Sequence, residues 1–151
     1  MVGQRLSLRA RALSFLARRE HSRAELAAKL QSRTEDSDEL KRLLDDFEAR
    51  GWLSEARFVE QTVHRLSQKF GTRRIIQMLR NKGVAEAFIS AKLTYLKDNA
   101  LAAARNVLKR KFPSSPATKE ERARQMRFLQ GRGFDYDVIR RAFDPDNEDS
   151  G

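Results

Sequence analysis

The feature that most constrains this chain is a hydrophobic spacing used three times at an interval of about fifty residues. Leu26 and Leu30 are followed by Leu40, Ile75 and Leu79 by Ile89, and Met126 and Leu129 by Ile139. The step from Leu30 to Leu40, from Leu79 to Ile89 and from Leu129 to Ile139 is ten residues each time, and successive anchors lie 49 and 50 residues apart. The segments LRNKGVAEAFI (79–89) and LQGRGFDYDVI (129–139) share a basic residue, a glycine and an apolar residue at the turn. LQSRTEDSDEL (30–40) keeps only the length and Arg33. A period of this size predicts one helix–turn–helix unit copied along a stacked array, in which each unit covers its neighbour's apolar face. Such arrays present a long surface suited to an extended partner.

Apolar residues recur at three- and four-residue steps and no stretch alternates with period two for long, so the expected fold is all-α. The reading is nine helices in three tandem three-helix repeats, stacked as an elongated, curved array. The repeats span 8–53, 54–96 and 97–144, and 145–151 is an acidic tail with too little apolar content to order itself. In the first repeat, Leu13, Leu16 and Ala17 form a stripe on helix 8–19, and Ser22-Arg23-Ala24-Glu25 is a capping box that opens a second helix. A third helix begins near Ser37, carries Leu40, Leu43, Leu44 and Phe47, and stops at Gly51. A left-handed turn there folds back Leu53 and Trp52, the latter read as a core plug.

The second repeat opens at Ser54 with Phe58, Val59, Val63 and Leu66 inward, and breaks at Phe70-Gly71-Thr72. Gly83 ends its middle helix with Val84 tucked behind, as Gly133 and Phe134 do fifty residues later. Phe88, Ile89, Leu93 and Leu96 then line a helix over 85–96. In the third repeat, Leu101, Ala104, Val107 and Leu108 precede a break at Phe112-Pro113-Ser114-Ser115-Pro116. Thr118-Lys119-Glu120-Glu121 reads as a second capping box, Phe128 falls near the edge of the apolar face, and Asp135 is placed to cap the last helix.

The net charge is +10, with 31 Lys and Arg against 21 Asp and Glu, and it is unevenly spread. Residues 1–50 hold eleven basic and nine acidic residues. Between Glu60 and Glu86, however, lie Arg65, Lys69, Arg73, Arg74, Arg80 and Lys82 with no acid among them. Arg105, Lys109, Arg110, Lys111 and Lys119 likewise lie unbroken between Asp98 and Glu120. Such tracks suit an anionic partner, a nucleic acid or a nucleoprotein, although solvated helix faces also carry charge. With no cysteine, neither disulfides nor thiolate metal sites can form, and a cytosolic location is the expectation. No apolar run approaches the roughly 18 residues of a membrane span, so no membrane partner is expected.

Motifs of catalysis are missing: there is no phosphate loop, no G-x-G-x-x-G, no H-E-x-x-H and no G-x-S-x-G. His21 precedes the Ser22 cap and reads as a packing or capping residue. His64 lies mid-helix with no carboxylate three or four residues on. The pairs Asp45-Asp46 and Glu120-Glu121 are sequence neighbours that diverge by about 100° on a helix and so cannot act together. The chain therefore reads as a binder with no catalytic residue, metal or cofactor. Its candidate binding surface is a basic stripe on the second helices of the units: Arg23 and Lys29, then Arg73, Arg74, Arg80 and Lys82, then Arg122, Arg124, Arg127 and Arg132. The competing reading is that these cations form exposed helix salt bridges, worth about 0.3–0.5 kcal/mol each. In the second unit no acid lies within four residues of Arg73, Arg74 or Arg80, which counts against it there.

Four ordered motifs carry a family resemblance: R-x-H-S-R-x-E-L-x-x-K-L (19–30), G-W-L-S-E-x-R-F (51–58), G-x-x-R-I-x-x-x-L-x-x-K-G-V (71–84) and R-F-L-x-x-R-G-F-x-x-x-x-I (127–139). Over roughly 8–143 the chain resembles the bacterial RecX family, regulators of the RecA recombinase. The matching positions are Arg23, Glu25, Arg57, Phe58, Arg74, Lys82, Gly83, Arg127, Arg132 and Gly133. The first unit departs at its second turn, where Thr34-Glu35-Asp36 stands without a glycine. The resemblance implies three tandem three-helix repeats in a protein that binds the RecA filament on DNA. It further implies restraint of the filament's ATP hydrolysis, strand exchange and coprotease activity, weak binding to single- or double-stranded DNA, and a monomer. The alternative is a DNA-binding helix–turn–helix regulator. Its supposed recognition helices, such as 85–96, are mostly apolar and carry few base-reading side chains.

Overall fold

The computed structural model describes residues 6–144, and over them the fold is helical with no strand. The first unit comprises α1 (Leu8–Arg18), α2 (Arg23–Leu30) and α3 (Ser37–Ala49), with a 3-10 turn at Gln31–Arg33 after α2. Helices α4 (Glu55–Leu66), α5 (Thr72–Asn81) and α6 (Glu86–Ser90) form the second. The third holds α7 (Leu93–Lys111), α8 (Lys119–Gly131) and α9 (Tyr136–Ala142). The acidic tail expected over 145–151 lies outside the described residues.

Short polar side chains start most of these helices by satisfying backbone N–H groups that the first turn leaves without partners. Ser7 accepts from Ala10, Asp36 from Asp38 and Glu39, and Ser54 from Arg57. The Ser22 capping box closes in both directions, with Glu25 N–H donating to Ser22 Oγ at 3.0 Å and Ser22 N–H to Glu25 Oε1 at 3.4 Å. The box at Thr118 closes in one only: Thr118 accepts from Glu121 N–H, but the Glu121 carboxylate reaches past the cap to Ala117 N–H at 2.7 Å. Asp135 stands at the cap position of α9 without capping it, because its carboxylate turns to Arg73 at 3.3 Å.

Each unit has its own core. Leu30, Leu79 and Leu129, the anchors of the threefold spacing, are fully buried and sit one in each of three separate apolar clusters. In the first cluster the α1 stripe is Leu8, Ala12, Phe15 and Leu16. The stripe read from sequence is off by one step, since Leu13 is 39% exposed and Ala17 is exposed too. Trp52 is likewise no core plug. It is 42% exposed, stands edge-on to Phe47 at 5.5 Å, and has the Arg9 and Arg50 guanidinium groups over its ring; Leu53 fills the core instead. The segment 85–96 is not one helix. It breaks after Ser90, and Leu93 opens a 19-residue helix that passes unbroken through the 96/97 division. Leu96, near its start, packs with the second unit's core, and Ala104, Val107 and Leu108 pack with the third's. One helix thus serves two cores.

The units meet end to end through their second helices, and the two joints fall at equivalent positions of the repeat. At the first, Ser22 Oγ at the N-terminus of α2 donates to Lys82 O at the C-terminus of α5 at 3.3 Å. At the second, Gly71 N–H donates to Arg132 O at 2.8 Å and Arg73 N–H to Gly133 O at 3.3 Å, so the N-terminus of α5 meets the C-terminus of α8. Ser22 and Gly71, Lys82 and Arg132, and Gly83 and Gly133 are equivalent by the repeat. Both turn glycines have positive φ, 80° at Gly83 and 92° at Gly133. Each also faces the preceding unit so closely that a Cβ at Gly83 would lie 2.7 Å from Ala24 Cβ, and one at Gly133 2.4 Å from Arg74 Cβ. Glycine is therefore required twice over, by conformation and by contact.

Candidate functional site

The end-to-end joints place α8, α5 and α2 in one head-to-tail row, and all ten cations of the expected stripe lie on or at the ends of these helices. Their surroundings differ sharply between units. In the first, Arg23 is held by carboxylates of its own unit, Asp45 at 2.8 Å and Glu48. Lys29 Nζ lies 2.8 Å from His21 Nε2 and stands over the Phe15 ring at 4.9 Å. His21 itself is buried, with Nδ1 3.1 Å from the Arg19 carbonyl, and burial is the main force pushing its pKa down. A neutral ring that donates from Nδ1 and accepts the Lys29 ammonium at Nε2 satisfies both contacts, which is a structural role.

In the second unit two cations find acids that lie beyond four residues in sequence. Arg80 forms a two-pronged pair with Glu86, at 2.6 and 3.1 Å, across the Gly83 turn. Arg73 pairs with Asp135 of the third unit. The local absence of acids around these arginines therefore did not leave them unpaired, because the turn and the joint bring carboxylates in. Lys82 sits 3.9 Å from Glu25 across the first joint. Arg74 is different: its guanidinium stands over the Phe70 ring at 5.3 Å, with no carboxylate in the ion pairs of the described residues.

The third unit contributes the densest group. Arg122 lies over Phe143 at 5.3 Å, and Arg124 and Arg127 are exposed. Arg127 and Arg73 line a depression of about 250 Å³ floored by Met126, Phe134 and Ile139, with Tyr136 70% exposed at its edge. Arg132 stands over both Phe70, at 5.4 Å, and Phe128, at 5.0 Å, so that it links the rings of two units. Beside it opens a cleft of about 320 Å³ lined by Gln68, Lys69, Arg110, Lys111, Phe128 and Arg132. The stripe is thus concentrated at the joint of the second and third units: Arg73 meets Arg127, Arg74 meets Arg132, and Arg23, Lys29 and Arg80 are engaged elsewhere. Lys69, Arg110 and Lys111 belong to this surface but not to the second helices. Their only sequence signal is the pair of acid-free stretches. Among the described residues no group of three or more His, Asp or Glu side chains could hold a metal ion, and no helix is long and apolar enough to cross a membrane.

These features define a class: a tandem helical-repeat protein with cations gathered at the joint of its second and third units. Comparison with known proteins makes the assignment specific. Residues 9–46, 54–93 and 98–143 match the family models described as the first, second and third three-helix domains of RecX. Proteins named regulatory protein RecX are similar over most of the chain. That of Leptothrix cholodnii is 49% identical over 89% of this chain and 86% of its own length, and that of Ralstonia nicotianae 44% over 91% and 87%. The crystal structure of RecX from Lactobacillus salivarius superposes with a TM-score of 0.74 at 18% identity, over 89% of this chain and 91% of that one, and shares the fold. The chain belongs to the RecX family of regulatory proteins.

Proposed function

We propose that this chain acts by binding, as a monomer in the cytoplasm, to a RecA filament assembled on DNA, and that it restrains the filament's ATP hydrolysis, strand exchange and coprotease activity. The observation that carries the reading is the head-to-tail row of second helices. It gives a relative of RecX regulators a row of cations, densest at the joint of the second and third units, that can follow an extended partner. Catalysis has no support in this geometry: the buried histidine is engaged on both nitrogens, and Glu20 and Glu25 face Arg57 and Arg19 in ion pairs. A recognition-helix mode on duplex DNA draws no support from the second unit, where the candidate helix over 85–96 reduces to the five residues of α6 before the break at Ala91-Lys92.

The test uses RecA-dependent ATP hydrolysis on single-stranded DNA, titrated with wild type and with the Arg124→Glu/Arg127→Glu variant. Both side chains are exposed on α8 and support no core contact, so the helical circular-dichroism signal should persist while the inhibitory midpoint rises tenfold or more. Unchanged inhibition by the variant removes the row from the interface, and absence of inhibition by wild type removes the reading.

A further inference from the structure

The cleft at the joint of the second and third units is unusual in its charge. Lys69 comes from the end of the second unit's first helix, Arg110 and Lys111 from the last turn of α7, and Arg132 from the end of α8. The C-terminal ends of α4 and α7 favour cations there, whereas the carbonyl end of α8 is answered by Gly71 and Arg73 N–H. That explains why cations gather here but not why no carboxylate joins them. Arg9, Arg19, Arg23, Arg50, Arg57, Arg73, Arg80 and Arg140 each find an acid within 4 Å, whereas the four cleft cations, like Arg74, Arg124 and Arg127, have none in the ion pairs of the described residues; what sets the cleft apart is that four such cations line one concavity. Four like charges around one concavity repel one another, and the low-dielectric walls focus their field outward into the opening.

The lining decides the chemistry of the occupant. A carboxylate-bearing protein segment would be expected to bring apolar anchors, yet of the two apolar side chains in the wall Val107 is buried, and only the Phe128 ring and the aliphatic stems of Gln68 and the cations are left to receive them. The Phe128 ring already carries two cations, Lys111 at 5.8 Å and Arg132 at 5.0 Å, and has the edge of Phe112 against it at 5.5 Å. Phe70 next to it carries Arg74 and Arg132. A nucleobase could stack on either ring only by displacing a cation. The site therefore offers charge without a free stacking platform. Its recess suits a flexible strand that can bend a phosphate inward better than a rigid duplex whose phosphates lie on a convex rod.

We infer that Lys69, Arg110, Lys111 and Arg132 form a phosphodiester clamp that grips the backbone of a single nucleic-acid strand without reading or stacking its bases. The inference rests on the reading of the chain as a nucleoprotein binder and adds which anion enters, where, and in what manner. Because Arg132 also closes the joint through its carbonyl and bridges Phe70 and Phe128, an occupied clamp pins the second and third units together.

The test is fluorescence anisotropy on the full chain, without recombinase, using a labelled oligothymidylate, an abasic oligomer of the same length and a duplex, across a salt series. The expected result is equal affinity for the thymidylate and abasic strands and weaker binding to the duplex. The Lys69→Gln/Arg110→Gln/Lys111→Gln variant, which alters exposed side chains only, should keep its urea midpoint. Its slope of log affinity against log salt should fall by about 2, as loss of three phosphate contacts on a single strand requires. Loss of binding on the abasic strand would show stacking and overturn the clamp, as would an unchanged salt slope in the variant, tighter binding to duplex, or a preference for polyglutamate over the strand. Failure of wild type to sediment with recombinase filaments while it still binds naked strand would sink the filament reading and leave the clamp standing.

Discussion

Three glycines separate the conformational and steric requirements of the joint, and their alanine variants give ordered, unequal losses. Gly51 has φ 76° and nothing within 4 Å of a built Cβ, so Gly51→Ala carries only the left-handed penalty, about 1–2 kcal/mol. Gly71 has φ −86°, which any residue adopts, but its Cβ would lie 2.5 Å from Gly133 C, Gly133 O and Phe134 N. These are backbone atoms and cannot swing aside, so the joint must open. Overpacking costs about 1–3 kcal/mol. The two N–H···O bonds across the joint add about 1 kcal/mol each, and restricting the unfolded chain returns up to about 1 kcal/mol. Gly71→Ala should therefore lose about 2–4 kcal/mol. Gly133 has φ 92° and a Cβ position 2.4 Å from Arg74 Cβ and 2.7 Å from Arg74 N, so both requirements apply and Gly133→Ala should lose about 3–6 kcal/mol. Urea unfolding followed by circular dichroism measures all three, and hydrogen exchange at Arg73 N–H reports the opening of the joint directly. A Gly71→Ala midpoint indistinguishable from wild type, or a Gly51→Ala loss as large as that of Gly133→Ala, would refute the end-to-end docking.

Other expectations follow from named contacts. Ser22→Ala removes a capping box and the Oγ–Lys82 bond of the first joint together, so it should cost about 1–2 kcal/mol in urea unfolding, more than Ser7→Ala, which removes a cap alone. Burial raises the Glu25 pKa, but the Arg19 hydrogen bonds and the Arg19 and Lys82 charges outweigh it and hold the carboxylate below its usual range. Its stabilising share is then complete above the unfolded-state pKa and is lost as pH falls through the folded one, so Glu25→Gln should flatten the acid limb of urea midpoints taken from roughly pH 6 to pH 3. Arg80→Gln should weaken filament co-sedimentation less than Arg127→Gln at equal salt, because Glu86 already neutralises Arg80; the reverse order would place the interface at the other end of α5.

What the sequence made legible was what lies within one repeat. The three leucine anchors, the Gly83 and Gly133 turns, the Ser22 capping box and the helix starts at Ser37 and Ser54 all rest on residues a few positions apart, where periodicity and cap chemistry act. Contacts made across a joint or around a turn were not legible. Nothing local in Asp135 tells that its carboxylate leaves its own helix for Arg73, and Glu86 pairs with Arg80 only because the glycine turn reverses the chain. Trp52 misled by its size: an indole suits a core, yet Leu53 fills this one and leaves the ring for Arg9 and Arg50. The break at Ala91-Lys92 carried no proline or glycine to mark it. The candidate surface divides in the same way. Its second-helix arginines were visible as a repeat, whereas Arg110 and Lys111 reach the cleft only because α7 runs on past the end of one core into the next, where the end of α4 brings Lys69.

The joint geometry also explains where the positive field can come from. When α8, α5 and α2 meet head to tail, the N-terminal donors of one helix are answered by the C-terminal carbonyls of the next, as Gly71 and Arg73 are by Arg132 and Gly133. The opposite partial charges at each joint offset one another locally, and the row contributes little dipolar field of its own at the second joint. The field there is a side-chain field and is set by which cations lack a carboxylate. The first joint is held differently, by Ser22 Oγ on Lys82 O, by Arg23 N–H on Glu55 at 2.6 Å, and by Arg57 bridging Glu20 and the Gly51 carbonyl. Ionic contacts of this kind are screened by salt, whereas backbone bonds and a shared helix are not. The first unit should therefore loosen before the other two part: rising salt should speed hydrogen exchange at Arg23 N–H while leaving Gly71 N–H protected, and equal acceleration at both amides would show that the two joints are held alike.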